Sequence, residues 1–358
     1  MKFIHCADIH LDSKMQTHLT IELSKERKNE ILLTFERLIK YAKDNGVSVI
    51  VIAGDMFDTS KTTSITRNKV VKLIENNPNI TFILLTGNHD EDNFIISLPS
   101  IPSNLIYFTN KWSSYQIENV VFTGAVFTSD NIVSIYDTLS LDKDKVNVVV
   151  LHGQISKYSV KNNPEIIDLT KLENKNIDYL ALGHIHSYQK EKLDSRGEYC
   201  YSGCLEGRGF DECGEKGFVL CEVLGDKVTS NFIPFAKRCL HEVEIDVTGI
   251  TEWFSIEEKI LSTLSSYSKN DLIKVVLIGK FTLDLQKFIS VTQTKLKEDF
   301  YFAKIVDKSS LQLNSSDYVN DISLKGEFIR TVLASNLTKE EQERVILVGL
   351  KALSGEEV

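Results

Sequence analysis

Cysteine is scarce in this sequence. Six are scattered over 358 residues, Cys6, Cys200, Cys204, Cys213, Cys221 and Cys239, and no two form a Cys-x-x-Cys pair. A chain this long needs no disulfide framework, and Cys200, Cys204 and Cys213 fit a zinc site poorly, so buried thiols are the expectation. Proline is rarer still, with 5, and no low-complexity tract or internal repeat breaks the pattern. No apolar run approaches the roughly 20 residues that cross a bilayer. The first residues read as a strand that meets Asp8 at once, without the apolar core of a signal peptide, which predicts a cytoplasmic protein with no membrane partner. Positive charge is also short: 41 Lys and Arg against 50 Asp and Glu leave a net charge of −9. That argues against a surface that grips nucleic acid everywhere, but it leaves room for a local basic groove.

What the sequence does carry is a series of apolar runs that end in metal-binding side chains. Val49-Ile50-Val51-Ile52-Ala53 reads as a buried strand, and Gly54 lets the backbone turn as it releases Asp55. Met1–Leu11 presents Asp8 and His10, and Phe82–Leu85 leads into Gly87-Asn88-His89-Asp90. Val148–Leu151 leads into His152, and Ile177–Leu182 into Gly183-His184-Ile185-His186. A side chain just past the C-terminal end of a parallel strand sits where open α/β sheets place their ligands. A lone Asp-x-His is a weak signal; five such motifs in one order are a strong one.

Asp8, His10, Asp55, Asn88, His152, His184 and His186 offer carboxylate, amide and imidazole but no thiolate. That donor set suits Mn2+, with Fe2+ or Zn2+ as alternatives. These ligands are too many for one ion with open positions. They suit two ions about 3.5–4 Å apart that share Asp55, an arrangement that serves phosphoryl-group hydrolysis. His89, beside Asn88, is the candidate general acid for the leaving oxygen, with Asp90 holding its tautomer. His5, His18 and His241 match no pattern and read as ordinary.

From 1 to about 235, strands alternate with helices. The spacing predicts a helix over 22–44, a strand over 47–53, a hydroxyl-rich loop from Thr59 to Thr66, and a helix over 67–76. Strands follow at 80–85, 105–108, 119–127 and 146–151; a helix over 168–174 crosses back to strand 178–182, and 188–233 reads as antiparallel strands. The expected class is α/β, one mixed sheet or two sheets packed face to face, with helices outside. A second unit, 236–310, has βαβαβ order and no His or Asp constellation of its own, so it would shape or cover the site. The tail, 311–358, is expected to be helical, with Leu324, Phe328, Ile329, Val332 and Leu333 as an apolar stripe and Thr338 with Glu341 as a capping box. The stripe either packs within its own domain or docks a partner helix.

Taken together, Asp8-x-His10, Gly54-Asp55-x-x-Asp58, Gly87-Asn88-His89-Asp90, Leu151-His152-Gly153 and Gly183-His184-x-His186 resemble the calcineurin-like metallophosphoesterase signature over residues 1 to about 235. Phe3 to Asp12, and Tyr201-Ser202-Gly203 with Arg208, Phe210, Glu212, Gly214 and Lys216-Gly217-Phe218, resemble the SbcD-type DNA repair nucleases. Leu324-Lys325-Gly326-Glu327-Phe328 is similar to the YhaO-like branch. The resemblance implies a metallophosphoesterase mixed β-sandwich flanked by helices, with the βαβαβ unit as a capping domain. It implies one ion on Asp8, His10, Asp55 and His186 and another on Asp55, Asn88, His152 and His184. It also implies Mn2+-dependent 3′-to-5′ exonuclease and endonuclease action on DNA, a homodimer, and an SbcC-like ATPase partner with a long coiled coil. One departure stands out: some members carry a histidine three residues after the bridging aspartate, tied to exonuclease action, where this chain has Asp58.

Lys61, Arg67 and Lys69, with Arg208, follow ligand motifs in an otherwise acidic chain and are candidate contacts to DNA phosphates; an ordinary solvated loop is the alternative. Thr86 before Gly87 and Asp90 after His89 count against the phosphoprotein phosphatases. A phosphodiesterase acting on nucleotides or other small esters would use the same core. A non-catalytic scaffold is the remaining alternative, and it should have lost ligands that are all present here.

Overall fold

The computed structural model describes residues 1–15, 19–58, 62–87, 93–96, 98, 100–159, 163–250, 252–281, 286–311 and 321–353. The chain divides into two compact units, Met1–Leu240 and His241–Val358.

The first unit runs β1 (Lys2–Cys6), α1 (Ile21–Asp44), β2 (Val49–Ala53), α2 (Ser64–Glu75), β3 (Thr81–Leu85) and β4 (Leu105–Tyr107). Next come β5 (Ser113–Ile117), β6 (Val120–Gly124), β7 (Val146–His152), β8 (Gln154–Ser156), β9 (Ile166–Asp168) and β10 (Tyr179–Gly183). It closes with β11 (Gln189–Lys192), β12 (Glu198–Tyr201), β13 (Gly217–Leu224) and β14 (Lys227–Pro234). Two six-stranded sheets result, ordered β14-β13-β1-β2-β3-β4 and β11-β12-β10-β7-β6-β5. Of the two arrangements left open by the sequence, the structure adopts the pair of sheets. Each is parallel in its middle and antiparallel toward an edge: β1, β2, β3 and β4 pair parallel, as do β6, β7, β10 and β12.

Strand alternation sorts the side chains into layers. Phe3, Val49, Val51 and Ile83 of one sheet meet Phe122, Val148, Val150 and Tyr179 of the other. Ile4, Ile50, Ile52 and Phe82 point the opposite way, onto Ile31, Phe35, Leu38 and Val70 of α1 and α2. A central strand is therefore apolar on both faces, which is why its sequence runs without a break. Each such side chain contributes roughly 1.5–3 kcal/mol by burial. His5 belongs to the inner layer, bonded to the Tyr179 hydroxyl at 2.9 Å and the Leu182 carbonyl at 3.2 Å. Burial lowers its pKa to about 3, so it stays neutral and structural.

Several elements differ from the sequence pattern: β6 ends at Gly124 where the spacing predicts a strand to 127, β5, β8 and β9 have no counterpart in it, and two further differences have plain local causes. α2 begins at Ser64, not 67, because Thr63 caps it by accepting the N–H of Thr66. The last three residues of the hydroxyl-rich stretch, Ser64 to Thr66, thus belong to the first turn of a helix. The helix expected over 168–174 is only a 3₁₀ turn, Leu169–Lys171. Asn174 and Asn176 take φ of 61° and 62°, which stops helical continuation, while Leu169 and Leu172 still pack against the outer face of the second sheet.

The second unit follows strand-helix-strand-helix-strand order: Leu240–Asp246, Trp253–Leu264, Leu272–Ile278, Gln286–Asp299 and Phe302–Asp307. It does pair one histidine with a carboxylate, since His241 Nε2 lies 2.9 Å from Asp271 Oδ2. Its helices Leu324–Leu333 and Lys339–Leu353 bury Ile329, Val332 and Ile346 together. The apolar stripe is split by that packing: Leu324 stays exposed. The capping box forms, with Thr338 N–H donating to Glu341 at 2.8 Å and Glu341 N–H donating back at 3.3 Å. No helix among the described residues is long and apolar enough to cross a membrane.

Candidate metal centre

The strands of both sheets deliver their polar ends to one place. Asp8 follows β1, Asp55 follows β2, Gly87 follows β3, His152 closes β7, and His184 follows β10. The backbone is strained to achieve this. Asp8, His10 and Asp55 take φ of 50°, 49° and 51°, and His184 takes 102°, conformations that cost non-glycine residues on the order of 1–3 kcal/mol each. Gly87 and Gly183 permit the close approach. A Cβ on Gly87 would stand 2.2 Å from Asp55 Oδ1, and one on Gly183 would stand 1.9 Å from the Ala53 carbonyl oxygen.

Two groups of ligand atoms converge, Asp8 with His10 and His186, and Asp8 with Asp55 and His152, each within 4.8 Å. Asp55 Oδ2 lies between them, 3.7 Å from His10 Nε2 and 3.5 Å from His152 Nε2. Asp8 accepts the backbone N–H of His184, at 2.9 Å to Oδ1. Each of three imidazoles has its other nitrogen facing an acceptor. His152 Nδ1–H donates to the Ala53 carbonyl at 3.0 Å, His186 Nδ1–H donates to Glu212 Oε1 at 2.7 Å, and His10 Nδ1 faces Asp58 Oδ1 at 3.4 Å. That leaves the Nε2 lone pairs turned inward. His10 Nε2 and His186 Nε2 then stand 3.2 Å apart, an arrangement a cation between them would relieve. The donor set and its orientation fit divalent metal ions.

The electrostatics agree. Burial, reinforced by Asp55, raises Asp8 to about 7, while the charge of His186 and the His184 N–H act against that rise. Burial lowers His152 to about 4 and also depresses His10, so both are neutral donors near neutrality. Burial works against a charged His186, but its hydrogen bond to Glu212 and the charge of Asp8 outweigh it and raise the pKa. Cys200 is a buried thiol pushed up to about 12, which agrees with the non-ligand reading.

Asn88, His89, Asp90 and Lys61 lie outside the described residues. Arg67 donates to the Thr62 carbonyl at 2.7 Å and Lys69 pairs with Glu36 at 2.6 Å, so the two described cations of that stretch have partners within the chain. Arg208 is drawn inward: its guanidinium bonds Asp58 at 2.9 Å and Glu212 at 2.7 Å. Glu212, which no ligand pattern singled out, is the missed member of the centre. It is separated from His186 by 26 residues, and only its place in the Arg208-x-Phe210-x-Glu212 motif hinted at it. Lys216 was missed as well; it is buried, and its Nζ donates to the His186 carbonyl at 2.8 Å.

A cavity of about 180 Å³ opens beside His152 and His184, lined also by Gly87, Val126, Phe127, Pro164 and Glu165. A larger cleft of about 700 Å³ contains none of the candidate ligands, and its Arg196 is neutralised by Asp178 at 2.9 Å.

A sequence model described as calcineurin-like phosphoesterase matches residues 1–188, a little over half of the chain. The DNA double-strand break repair protein Mre11 of Sulfolobus acidocaldarius is 25% identical in a gapped alignment 394 positions long that covers 100% of both chains. The uncharacterized metallophosphoesterase YhaO of Bacillus subtilis is 24% identical, covering 78% of this chain and 72% of that one. A subunit of the nuclease SbcCD of Staphylococcus saprophyticus is 22% identical, covering 96% of each.

Proposed function

The chain belongs to the calcineurin-like phosphoesterase family, hydrolases of phosphoester bonds, and we propose that within it this protein is a two-metal-dependent DNA nuclease acting in repair. The observation that carries the metal-dependent part is the inward presentation of three Nε2 atoms around the Asp8 and Asp55 carboxylates. The DNA part draws on the nuclease and break-repair proteins that align along nearly the whole chain.

In this reading Asp8, His10, Asp55 and His186 hold one ion, and Asp55, Asn88, His152 and His184 hold the other. Two Mn2+ ions, when bound, supply charge neutralisation at the phosphoryl group and activation of water. The chain's own work is to fix that geometry. Asp55 brings its charge between the two imidazole sets, the strained turns hold the side chains without reorganisation, and Glu212 and Ala53 set the tautomers. His89 serves as general acid for the leaving oxygen, oriented by Asp90. The second unit acts as a cap. The apolar positions its terminal helices leave exposed, Leu324, Val345 and Val348, form the docking face for an SbcC-like ATPase. The active species is a cytoplasmic homodimer.

End-labelled single- and double-stranded DNA incubated with the protein and Mn2+, beside bis-p-nitrophenyl phosphate and cyclic nucleotides, tests the reading. Shortening of the labelled strands supports it. Turnover of the small esters with DNA left intact would replace it with a small-molecule phosphodiesterase.

A further inference from the structure

A separate cluster of donor side chains lies on the strand that opens the second unit. Cys239 Sγ, a ring nitrogen of His241 and a carboxylate oxygen of Asp271 all fall within 4.8 Å of one another. Cys239 immediately precedes the strand Leu240–Asp246 and His241 is its second residue, a spacing of two that puts side chains of an extended chain on one face. Asp271 stands just before the neighbouring strand of the same sheet, Leu272–Ile278. The imidazole and the carboxylate are held in place. The Tyr267 ring meets the His241 ring edge-on with centroids 4.6 Å apart, and His241 Nε2 is 2.9 Å from Asp271 Oδ2. Asp271 closes a tight turn, its N–H donating to the Ser268 carbonyl at 3.1 Å. The side chains of His241 and Asp271 are 24% and 12% exposed and Cys239 is half-buried, so the cluster is sheltered yet open to an ion from solvent.

A histidine beside an aspartate is by itself a structural pair; the thiol as third member changes the chemistry. Thiolate, imidazole and carboxylate are the donors that bind Zn2+, and around a tetrahedral ion they stand about 3.3–3.6 Å apart, within reach of small side-chain rotations here. The candidate donors of the paired centre include no thiolate and suit harder ions, whereas a sulfur ligand selects softer ones. We propose that Cys239, His241 and Asp271 form a further metal site that takes Zn2+, with its fourth position left to water. Cys239 gives up its thiol proton as the ion binds. The ion joins the beginnings of two neighbouring strands, so it acts on the stability of the second unit and not on phosphoester chemistry. The site stands whether or not the two-metal reading does.

Cobalt substitution of the reduced, full-length protein tests it. A sulfur ligand gives Co2+ a charge-transfer absorption in the near ultraviolet that oxygen and nitrogen ligands do not, so the paired centre is silent in this measurement. Titration with Co2+ should raise the band, and Zn2+ should remove it, because Zn2+ binds such sites more tightly than Co2+. Cys239→Ser should abolish the band, and Asp271→Asn should weaken it. Cys213→Ser, at the other half-buried cysteine, should keep it. Alkylation of the unaltered protein gives a reading that needs no substitution. With free Zn2+ at about ten times its Kd, labelling of Cys239 by iodoacetamide should slow about tenfold, following the fraction of sites left empty, while Cys213 reacts as before. Mass spectrometry of the peptides measures both. No sulfur band in the unaltered protein, a band that survives Cys239→Ser, or labelling of Cys239 indifferent to Zn2+ would each overturn the proposal and leave the two-metal reading untouched.

Discussion

Both units of this protein are built from strand-helix-strand crossovers, yet their strand ends behave differently. In the first unit, Asp8, His10, Asp55 and His184 sit in the left-handed region although none is glycine. In the second unit, among the described residues, only Gly249 and Gly279 take such conformations. Left-handed backbone at a non-glycine residue persists only where its surroundings over-determine it. The contrast therefore locates the work: the first unit keeps strain because carboxylates and imidazoles from two sheets must meet, whereas the described strand ends of the second unit, where His241 meets Asp271, do without left-handed non-glycine residues.

The largest effect that would sharpen this contrast lies at His89. His89→Gln should keep two metals per chain and lose about 10²–10⁴-fold in rate on DNA. The loss should shrink for a nitrophenyl ester, whose leaving oxygen needs little protonation. Turnover on both substrates, with metal content by mass spectrometry, checks this; loss of a metal, or equal slowing of both substrates, would make His89 a ligand or a phosphate binder instead.

Glycines compare the two units directly. Gly183→Ala drives a methyl group against the Ala53 backbone and should cost about 3 kcal/mol or more, the upper range for overpacking. Gly249→Ala, at φ 78° with open space around it, should cost only the left-handed penalty of about 1–2 kcal/mol. Thermal or urea unfolding measures both, and equal losses would show that the first unit's strand ends are no tighter than the second's.

Asp8 sets a pH dependence. Its pKa in the metal-free fold is raised to about 7 from an ordinary 3.8, so its favourable contribution is complete below about pH 4 and is lost as pH rises through 7. A divalent ion takes the proton's place, so apparent affinity should fall about tenfold for each pH unit below 7 per proton displaced. The rise in melting temperature on adding Mn2+ should thus be larger at pH 8 than at pH 6. A pH-independent rise would mean that Asp8 is already ionised without metal.

The smallest effects belong to the periphery. Alanine at Lys61, Arg67 and Lys69 should flatten the salt dependence of DNA binding, by up to about 0.9 in slope for each phosphate no longer neutralised. The partners of Arg67 and Lys69 are carbonyl and surface carboxylate groups, and surface ion pairs of that kind exchange cheaply. An unchanged slope would reduce the stretch to a solvated loop and helix start. Deleting 317–358 should spare nuclease activity while ending co-purification with an ATPase; insolubility on deletion would assign those helices to the protein's own core.

The centre is legible in the sequence wherever local chemistry announces itself. Asp8, Asp55, His152 and His184 each end an apolar run, and strand ends are where α/β sheets expose side chains. What stays hidden depends on neighbours distant in sequence. Nothing local says that Glu212 will meet His186, or that Arg208 will turn inward to Asp58, 150 residues earlier. The 168–174 segment misleads because Leu169 and Leu172 have helical spacing but serve a turn, ended by two left-handed asparagines.

Metal content of Asp55→Asn beside the unaltered protein tests the central claim most directly. Asp55 Oδ2 stands between the two imidazole sets, so removing its charge should lower the content from two ions per chain and abolish activity with it. Two ions retained at full occupancy in the variant would show that Asp55 does not join the two halves of the site, and the shared-carboxylate account would be wrong.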